Sequence, residues 1–431
     1  EALLERNVAI SLYTREWPQT RLQLIEPVIC NPHYLGRLWR DWSFARAVCR
    51  ALASAEVDLV QSHERLLCCD VYRAGDGVHA EWLEQRARVA TPLERAATRV
   101  SPYHRHVLAT ERKLFTAPWL RAVICNSRMV QREIHERFGV PEDRLHVIYN
   151  AIDTDAFHPG LKSLRHWVRE RHRIPDDAMV FLLVGSGYQR KGVATAIAAL
   201  SRVTAPAHLL VVGRDRRLSH YADLARRHGV ADRVTLAGPQ TEPKPYYGAA
   251  DAFVLPTLYD PCPNAALEAM ACALPVITST KSGAAELVRE HDAGLVCDAL
   301  DVDALAAHMQ ALVDQGVRVS MGARGRAAVA QLTPAAMTLK LVLLYRDLLT
   351  ASVQARSASA GVDTATAAAA PGNAGMVAPE VLHAAGASDA ASELPLEAAL
   401  PEPPVLGPDS RVDTLPPEVG DAMAARDPRA G

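Results

Sequence analysis

Metal-ligand spacing is absent from this sequence. Its eight cysteines, at positions 30, 49, 68, 69, 125, 262, 272 and 297, form no C-x-x-C pair, and no His cluster accompanies them. That pattern excludes a structural zinc site and predicts reduced thiols; adjacent Cys68 and Cys69 cannot readily bridge each other. Nor does any apolar run approach the roughly 20 residues that span a bilayer. The opening EALLERN has no signal-peptide pattern, so a cytoplasmic location is expected. Two nucleotide fingerprints are missing as well. VGSGYQRKG, ending at Gly192, has no Lys-Ser/Thr to make a Walker A loop, and Arg190 stands where G-x-G-x-x-G needs its third glycine. A dinucleotide-dependent dehydrogenase is therefore disfavoured.

What is present is ample for two domains and an extension: 431 residues, 49% apolar, with a net charge of −2. The charge is uneven. Residues 351–431 hold eleven acidic and four basic side chains, so the rest of the chain is net positive and suited to phosphate or an anionic surface. In the same stretch aromatics vanish and Ala, Pro and Gly rise, which predicts a disordered tail.

Residues 1–150 read as an alternating α/β domain. Strands are expected at 8–13, 57–61, 122–125 and 145–149, and helices at 36–54, 86–113 and 127–138, with Ser127 as N-cap and Gly139 as the stop. The turn-rich NAIDTDAFHPG at 150–160 suits a linker. Residues 151–350 give a cleaner series, with strands at 180–184, 209–212, 234–236, 252–255, 276–278 and 295–297. Helices separate them, and two more at 318–331 and 334–350 close the folded part. Such β–α units predict a parallel, doubly wound sheet. The chain opens on what reads as the end of a helix, so the first strand and Gly-rich turn of the N-terminal domain are expected to be missing.

Two stretches carry candidate chemistry. In the first, Gly185 and Gly187 allow a tight turn with backbone near phosphate, and Arg190 and Lys191 place two cations at its mouth. The second, LPTLYDPCPNAALEAM, runs strand–turn–helix. Because Pro261 and Pro263 lack an N–H, an anion cradle there must use Cys262, Asn264, Ala265 and Ala266, with Asn264 a good N-cap. Asp260 and Glu268 bracket the turn, and Glu286 opens a later helix as an ordinary first-turn acid. The triplets Asp153-Thr154-Asp155 and Asp301-Val302-Asp303 read as linker and cap, so no metal is expected.

These pieces resemble a known family. YDPCPNAALEAMACALPVITSTKSGAAEL is similar to the signature of glycosyltransferase family 4, retaining enzymes of the GT-B fold with two facing Rossmann-like domains. VICNSRMVQREIHERFGVPEDRLHVIYNAIDTDAFHP resembles the end of that family's first domain. LLVGSGYQRKGVATAIAAL resembles its phosphate loop, most like the branch that adds glucose to heptose in the lipopolysaccharide core, and SHERLLCCDVYRAGDGVH resembles that branch's acceptor-side loop. The resemblance implies a UDP-sugar donor, a lipid-linked saccharide acceptor, no metal and no cofactor. By position, Glu268 would bind the donor ribose and Asp260 the donor sugar. Arg190 and Lys191 would neutralise the diphosphate, while Asp76 and His63, with Asp70 behind them, would serve the acceptor.

There are departures. Asp260 stands for the usual glutamate, Pro263 and Ala151 for glycines, and the family's first strand and Gly-Gly loop are not seen. Alternatives in keeping with the same architecture are a UDP-sugar epimerase and an inactive nucleotide-sugar-binding fragment. The stretch 86–121 carries eight Arg or Lys against two acids, with aromatics interleaved. It is expected either to be a solvated face or to touch an anionic inner leaflet; no nucleic-acid-binding module is present.

Overall fold

The computed structural model describes residues 9–17, 25 and 27–367. Residues 1–8, where a helix end was expected, and 368–431, most of the expected tail, lie outside the described residues. The described strands are β1 (Leu12–Thr14), β2 (Pro27–Ile29), β3 (Gln61–Ser62), β4 (Val71–Arg73), β5 (Ala122–Cys125) and β6 (Leu145–Val147). They continue as β7 (Met179–Val184), β8 (Ala207–Val212), β9 (Val234–Gly238), β10 (Ala252–Leu255), β11 (Val276–Ser279) and β12 (Gly294–Cys297).

The second lobe is one parallel sheet in the order β12-β11-β10-β7-β8-β9. Its central strands are unbroken apolar runs because helices cover both faces, and Val180, Phe181, Leu182 and Leu183 are fully buried. The chain winds from β7 outward to β9, then restarts with β10 on the other side of β7. The loops after β7 and β10 therefore diverge, leaving a crevice at the carboxyl ends of these strands. All six strands lie within about two residues of the expected ones.

The first lobe is less regular. Strands β3 to β6 form a parallel sheet in chain order, and β1 pairs with β2 separately. Strands β2 and β4 were not predicted, being three residues each, and the expected strand 57–61 gives only Gln61 to the ladder, opposite Val71. The helix expected over 86–113 is three helices: His79–Ala87, Pro92–Val100 and Pro102–Phe115. Both later helices begin with proline at their first position. Thr91 and Glu94 form a capping box before one, and Ser101 caps the other through the His104 N–H.

A final helix, Pro334–Ala367, runs on into residues 351–367, where composition predicted disorder. Its Leu341 and Leu344 return to the first lobe and are buried with Val71, Ala122 and Ile124, each such burial contributing about 1.5–3 kcal/mol. Within Gln315–Ala351, which is two helices separated at residues 330–333, one 18-residue window reaches a mean hydropathy of 1.5, so that by length and composition alone the stretch passes for a membrane span. Beside the linker, the Ile152 N–H donates to the Leu332 carbonyl at 2.7 Å, so the two passages between lobes run together. By contacts, both sheets belong to one unit, Glu1–Ala368.

One expectation about the thiols fails. Cys49 and Cys68 are disulfide-bonded, with Cα atoms 5.7 Å apart. Helix Gly36–Leu52 packs against the loop holding Leu66 and Cys68, a proximity that the sequence separation of 19 conceals. The other six cysteines are free and buried.

Candidate active site

The crevice after β7 and β10 opens into a cleft of about 1480 Å³ lined by both lobes. On one side, the turn after β7 holds Gly185 at φ 157°, where a Cβ would come 2.8 Å from Lys191 Cε. Glycine here lets the Lys191 side chain cross the turn. The Arg190 carbonyl accepts from Leu258 N–H at 2.8 Å and Thr257 Oγ1 at 3.0 Å, which ties this turn to the loop after β10. Across the gap, Asp260 Oδ2 accepts from Lys191 Nζ at 2.6 Å and Arg190 Nη1 at 3.1 Å.

Lys191 and Asp260 are both buried. Burial pushes the Lys191 ammonium below its usual range; Asp260 opposes that shift and Arg190 adds to it. One Asp260 oxygen, Oδ2, thus secures both cations.

Helix Asn264–Ala271 starts at the same place. Ala266 and Leu267 N–H groups turn back to the Pro263 carbonyl, leaving those of Asn264 and Ala265 without an acceptor among the described residues. These two N–H groups and the helix dipole make an anion-favouring end. Asn264 is the first helical residue rather than the N-cap, which is Pro263. Its Oδ1 accepts from Asn150 Nδ2 at 2.7 Å instead. One turn on, Glu268 receives the hydroxyl of fully buried Tyr247. Burial raises the Glu268 carboxyl above its ordinary range, and the Tyr247 hydrogen bond works against that rise.

The first lobe supplies the facing wall. Asp76 is exposed there, in the loop after β4. Next to it His79 Nε2 lies 3.1 Å from His104 Nδ1, and burial together with Arg65 pushes His79 down to about 4, so it is neutral. The loop is anchored by Glu111, buried, which accepts from the His79 N–H at 2.9 Å and Arg65 Nε at 3.3 Å. Tyr259 then joins the lobes, accepting from Val78 N–H at 2.9 Å and donating to Glu133 at 2.8 Å. Lys281 bridges Glu81 at 2.8 Å and Glu133 at 2.9 Å.

Of the residues singled out in the sequence, Asp76, Gly185, Arg190, Lys191, Asp260, Cys262, Asn264, Ala265 and Glu268 line this one cleft. His63 does not. Its Nε2 sits 3.4 Å from the Gln61 amide, which in turn accepts from Tyr345 of the final helix. Gly187 is left-handed at φ 76° and borders a neighbouring recess with Arg214 and Arg217. The Asp70 carboxylate is occupied by the Val60 N–H at 2.8 Å. The Cys262 thiol, pushed up to about 12 by burial, stays protonated. Glu286 takes the Arg128 and Met129 N–H groups at 2.8 and 3.0 Å, joining the lobes rather than facing the cleft.

Asp301 caps helix Val302–Ala311, and Asp153 accepts from the N–H groups of Asp155 and Ala156. No group of metal-ligating side chains occurs among the described residues. Sequence reasoning missed His79, His104, Tyr247 and Asn150. Two had a signal: His79 ends the quoted GDGVH loop and Asn150 opens the quoted NAIDTDAFHPG linker.

Comparison with known proteins agrees on both lobes. The family model for Glycosyltransferase Family 4 matches residues 1–156, and that for Glycosyl transferases group 1 matches residues 178–315. A D-inositol 3-phosphate glycosyltransferase from Xylanimonas cellulosilytica is 30% identical over 217 residues, 48% of this chain and 52% of that protein. The lipopolysaccharide core biosynthesis glycosyltransferase LpsE of Rhizobium meliloti is 31% identical over 35% of this chain and 44% of its own. A GDP-mannose-dependent phosphatidylinositol monomannoside mannosyltransferase of Mycobacterium tuberculosis is 34% identical over 44% and 52%. The chain thus spans about half the length of the curated relatives it matches.

Among solved structures, WaaG, a glycosyltransferase involved in lipopolysaccharide biosynthesis, superposes with a TM-score of 0.67 at 21% identity, covering 78% of this chain and 92% of WaaG. Anabaena Alr3699/HepE, solved with UDP-glucose, gives 0.58 at 18% identity over 75% and 86%. Both share the fold.

Proposed function

We propose that this chain, with glycosyltransferase domains in both lobes of a GT-B fold, transfers a hexose from a UDP-sugar to a saccharide of the cell envelope, with retention. The observation that carries the reading is convergence. Arg190 and Lys191, from the turn after β7, face one cleft with Glu268 and the N–H groups of Asn264 and Ala265, from helix Asn264–Ala271 more than 70 residues later.

The diphosphate would lie between the two cations and the helix N-terminus, which stabilise charge on the departing UDP. Glu268 would take the ribose hydroxyls, and Asp260 Oδ1 a hydroxyl of the donor sugar. The acceptor would enter from the wall holding Asp76 and His79. In the step itself the bond from the anomeric carbon to the UDP oxygen breaks, and the acceptor oxygen bonds to that carbon on the same face. The acceptor's proton goes to the departing phosphate oxygen. No protein nucleophile and no metal is assigned a role.

Support for UDP comes from HepE, solved with UDP-glucose, and for an envelope acceptor from LpsE and WaaG. The enzyme would act at the cytoplasmic face of the membrane. Helix Pro92–Val100 has no buried residue and shows Leu93 and Val100, 80% and 71% exposed, beside Arg95 and Arg99.

Calorimetry with UDP, GDP and ADP, followed by transfer from radiolabelled UDP-glucose to extracted core saccharide, tests the reading. UDP should bind tightest, and Glu268→Ala and Lys191→Ala should each lower transfer more than 100-fold with the fold intact. Wild-type turnover in either variant would remove the assignment.

A further inference from the structure

Arg73, at the end of β4 in the first lobe, is 9% exposed and has no carboxylate partner among the described residues. Its Nη2 donates to Asn150 Oδ1 at 3.0 Å. From the other end of the same amide, Asn150 Nδ2 donates to Asn264 Oδ1 at 2.7 Å and to the Cys262 carbonyl at 3.2 Å. Side-chain chemistry fixes the sense of this chain. A guanidinium can only donate, so Asn150 must turn its oxygen to Arg73 and its amino group to Asn264. The Cys262 carbonyl can only accept, which demands the same orientation independently. Asn264 must then present its oxygen to Asn150. Its own amino group is left for the cleft, which it lines, with no protein acceptor among the described residues.

We infer that the Asn264 side-chain amino group is a hydrogen-bond donor to the anionic part of the bound nucleotide, and that Arg73, through Asn150, is the positioning residue that sets its polarity from the opposite lobe. The inference rests on the donor-binding reading above and names a contact that reading lacks: a side-chain donor added to the backbone N–H groups of the same turn. It also ties the lobes to the ligand. Separating β4 from the linker would free Asn150, and Asn264 could then rotate its oxygen toward the phosphates.

The test compares calorimetric affinities for UDP and for uridine, which lacks the phosphates. Asn264→Asp keeps the acceptor toward Asn150 but turns an anionic oxygen to the cleft. It should weaken UDP binding more than tenfold and uridine binding less than twofold. Asn150→Asp, which removes the donor to Asn264, should weaken UDP several-fold with the same selectivity. Arg73→Lys, still a pure donor, should retain most of the UDP affinity that Arg73→Leu loses. Equal losses for uridine and UDP, or unchanged UDP affinity in Asn264→Asp, would overturn the inference and leave the donor reading standing. If wild-type protein bound uridine and UDP alike, both would fall.

Discussion

Glu268 and Lys191 are shifted toward each other, the acid raised and the base lowered, burial being the first cause of both shifts. The signs set a pH window. As pH falls, Glu268 protonates earlier than an ordinary glutamate and, in the donor site proposed above, would stop accepting from ribose. As pH rises, Lys191 loses its charge earlier than an ordinary lysine and would stop neutralising phosphate there. UDP affinity should therefore be bell-shaped in pH, with both limbs drawn inward. The Tyr247 bond lowers Glu268, so Tyr247→Phe should move the acid limb to higher pH and leave the alkaline limb in place. Titration calorimetry across the range checks this, and an unmoved acid limb would take Glu268 out of the nucleotide site. Most of these residues were legible because charge and glycine were concentrated in two short stretches. Tyr247 was not, since a tyrosine in PKPYYGA looks like core until folding sets it beneath Glu268.

Elements were legible where their local chemistry was self-contained. The central second-lobe strands β7 and β10 are continuous apolar runs, and no other element competes for that pattern. The split of 86–113 into separate helices was also written in the chain, as Thr91-Pro92 and Ser101-Pro102, but the run of basic residues masked it. By contrast β4, only Val71–Arg73, becomes a strand because β3 and β5 lie on either side of it. The final helix matters most at this scale. Leu344, 8% exposed, packs on the first-lobe sheet from the far end of the chain. Leu344→Ala should cost about 2–5 kcal/mol. Hydrogen exchange should show the loss first in β4 and β5 rather than in β7 or β8; uniform loss would mean that the helix does not serve the first lobe in particular.

For the molecule as a whole, the two-sheet plan was legible because alternating strand and helix patterns admit few other arrangements. The return of the final helix, 334–350, to the first lobe is expected from the family resemblance and is what Leu341 and Leu344 do; the disulfide and the Tyr259 and Lys281 contacts between lobes depend on long-range packing and were not legible. The exposed Leu93 and Val100 also belong to this scale, because with the neighbouring arginines they present a mixed apolar and basic face. Each basic residue near an anionic surface adds about 1 kcal/mol. The Leu93→Glu, Val100→Glu double variant should sediment with phosphatidylglycerol vesicles at least fivefold less than wild type, while keeping its affinity for UDP. Equal sedimentation would assign that face to solvent.

The pairing of Ile152 with Leu332 has a mechanical meaning. Because the backbone goes out and comes back along one line, and the returning helix grips the sheet it left, protease cleavage anywhere in 153–160 would produce two fragments that still travel as one particle. Swinging apart would be confined to rotation about that spine, like the covers of a bound book.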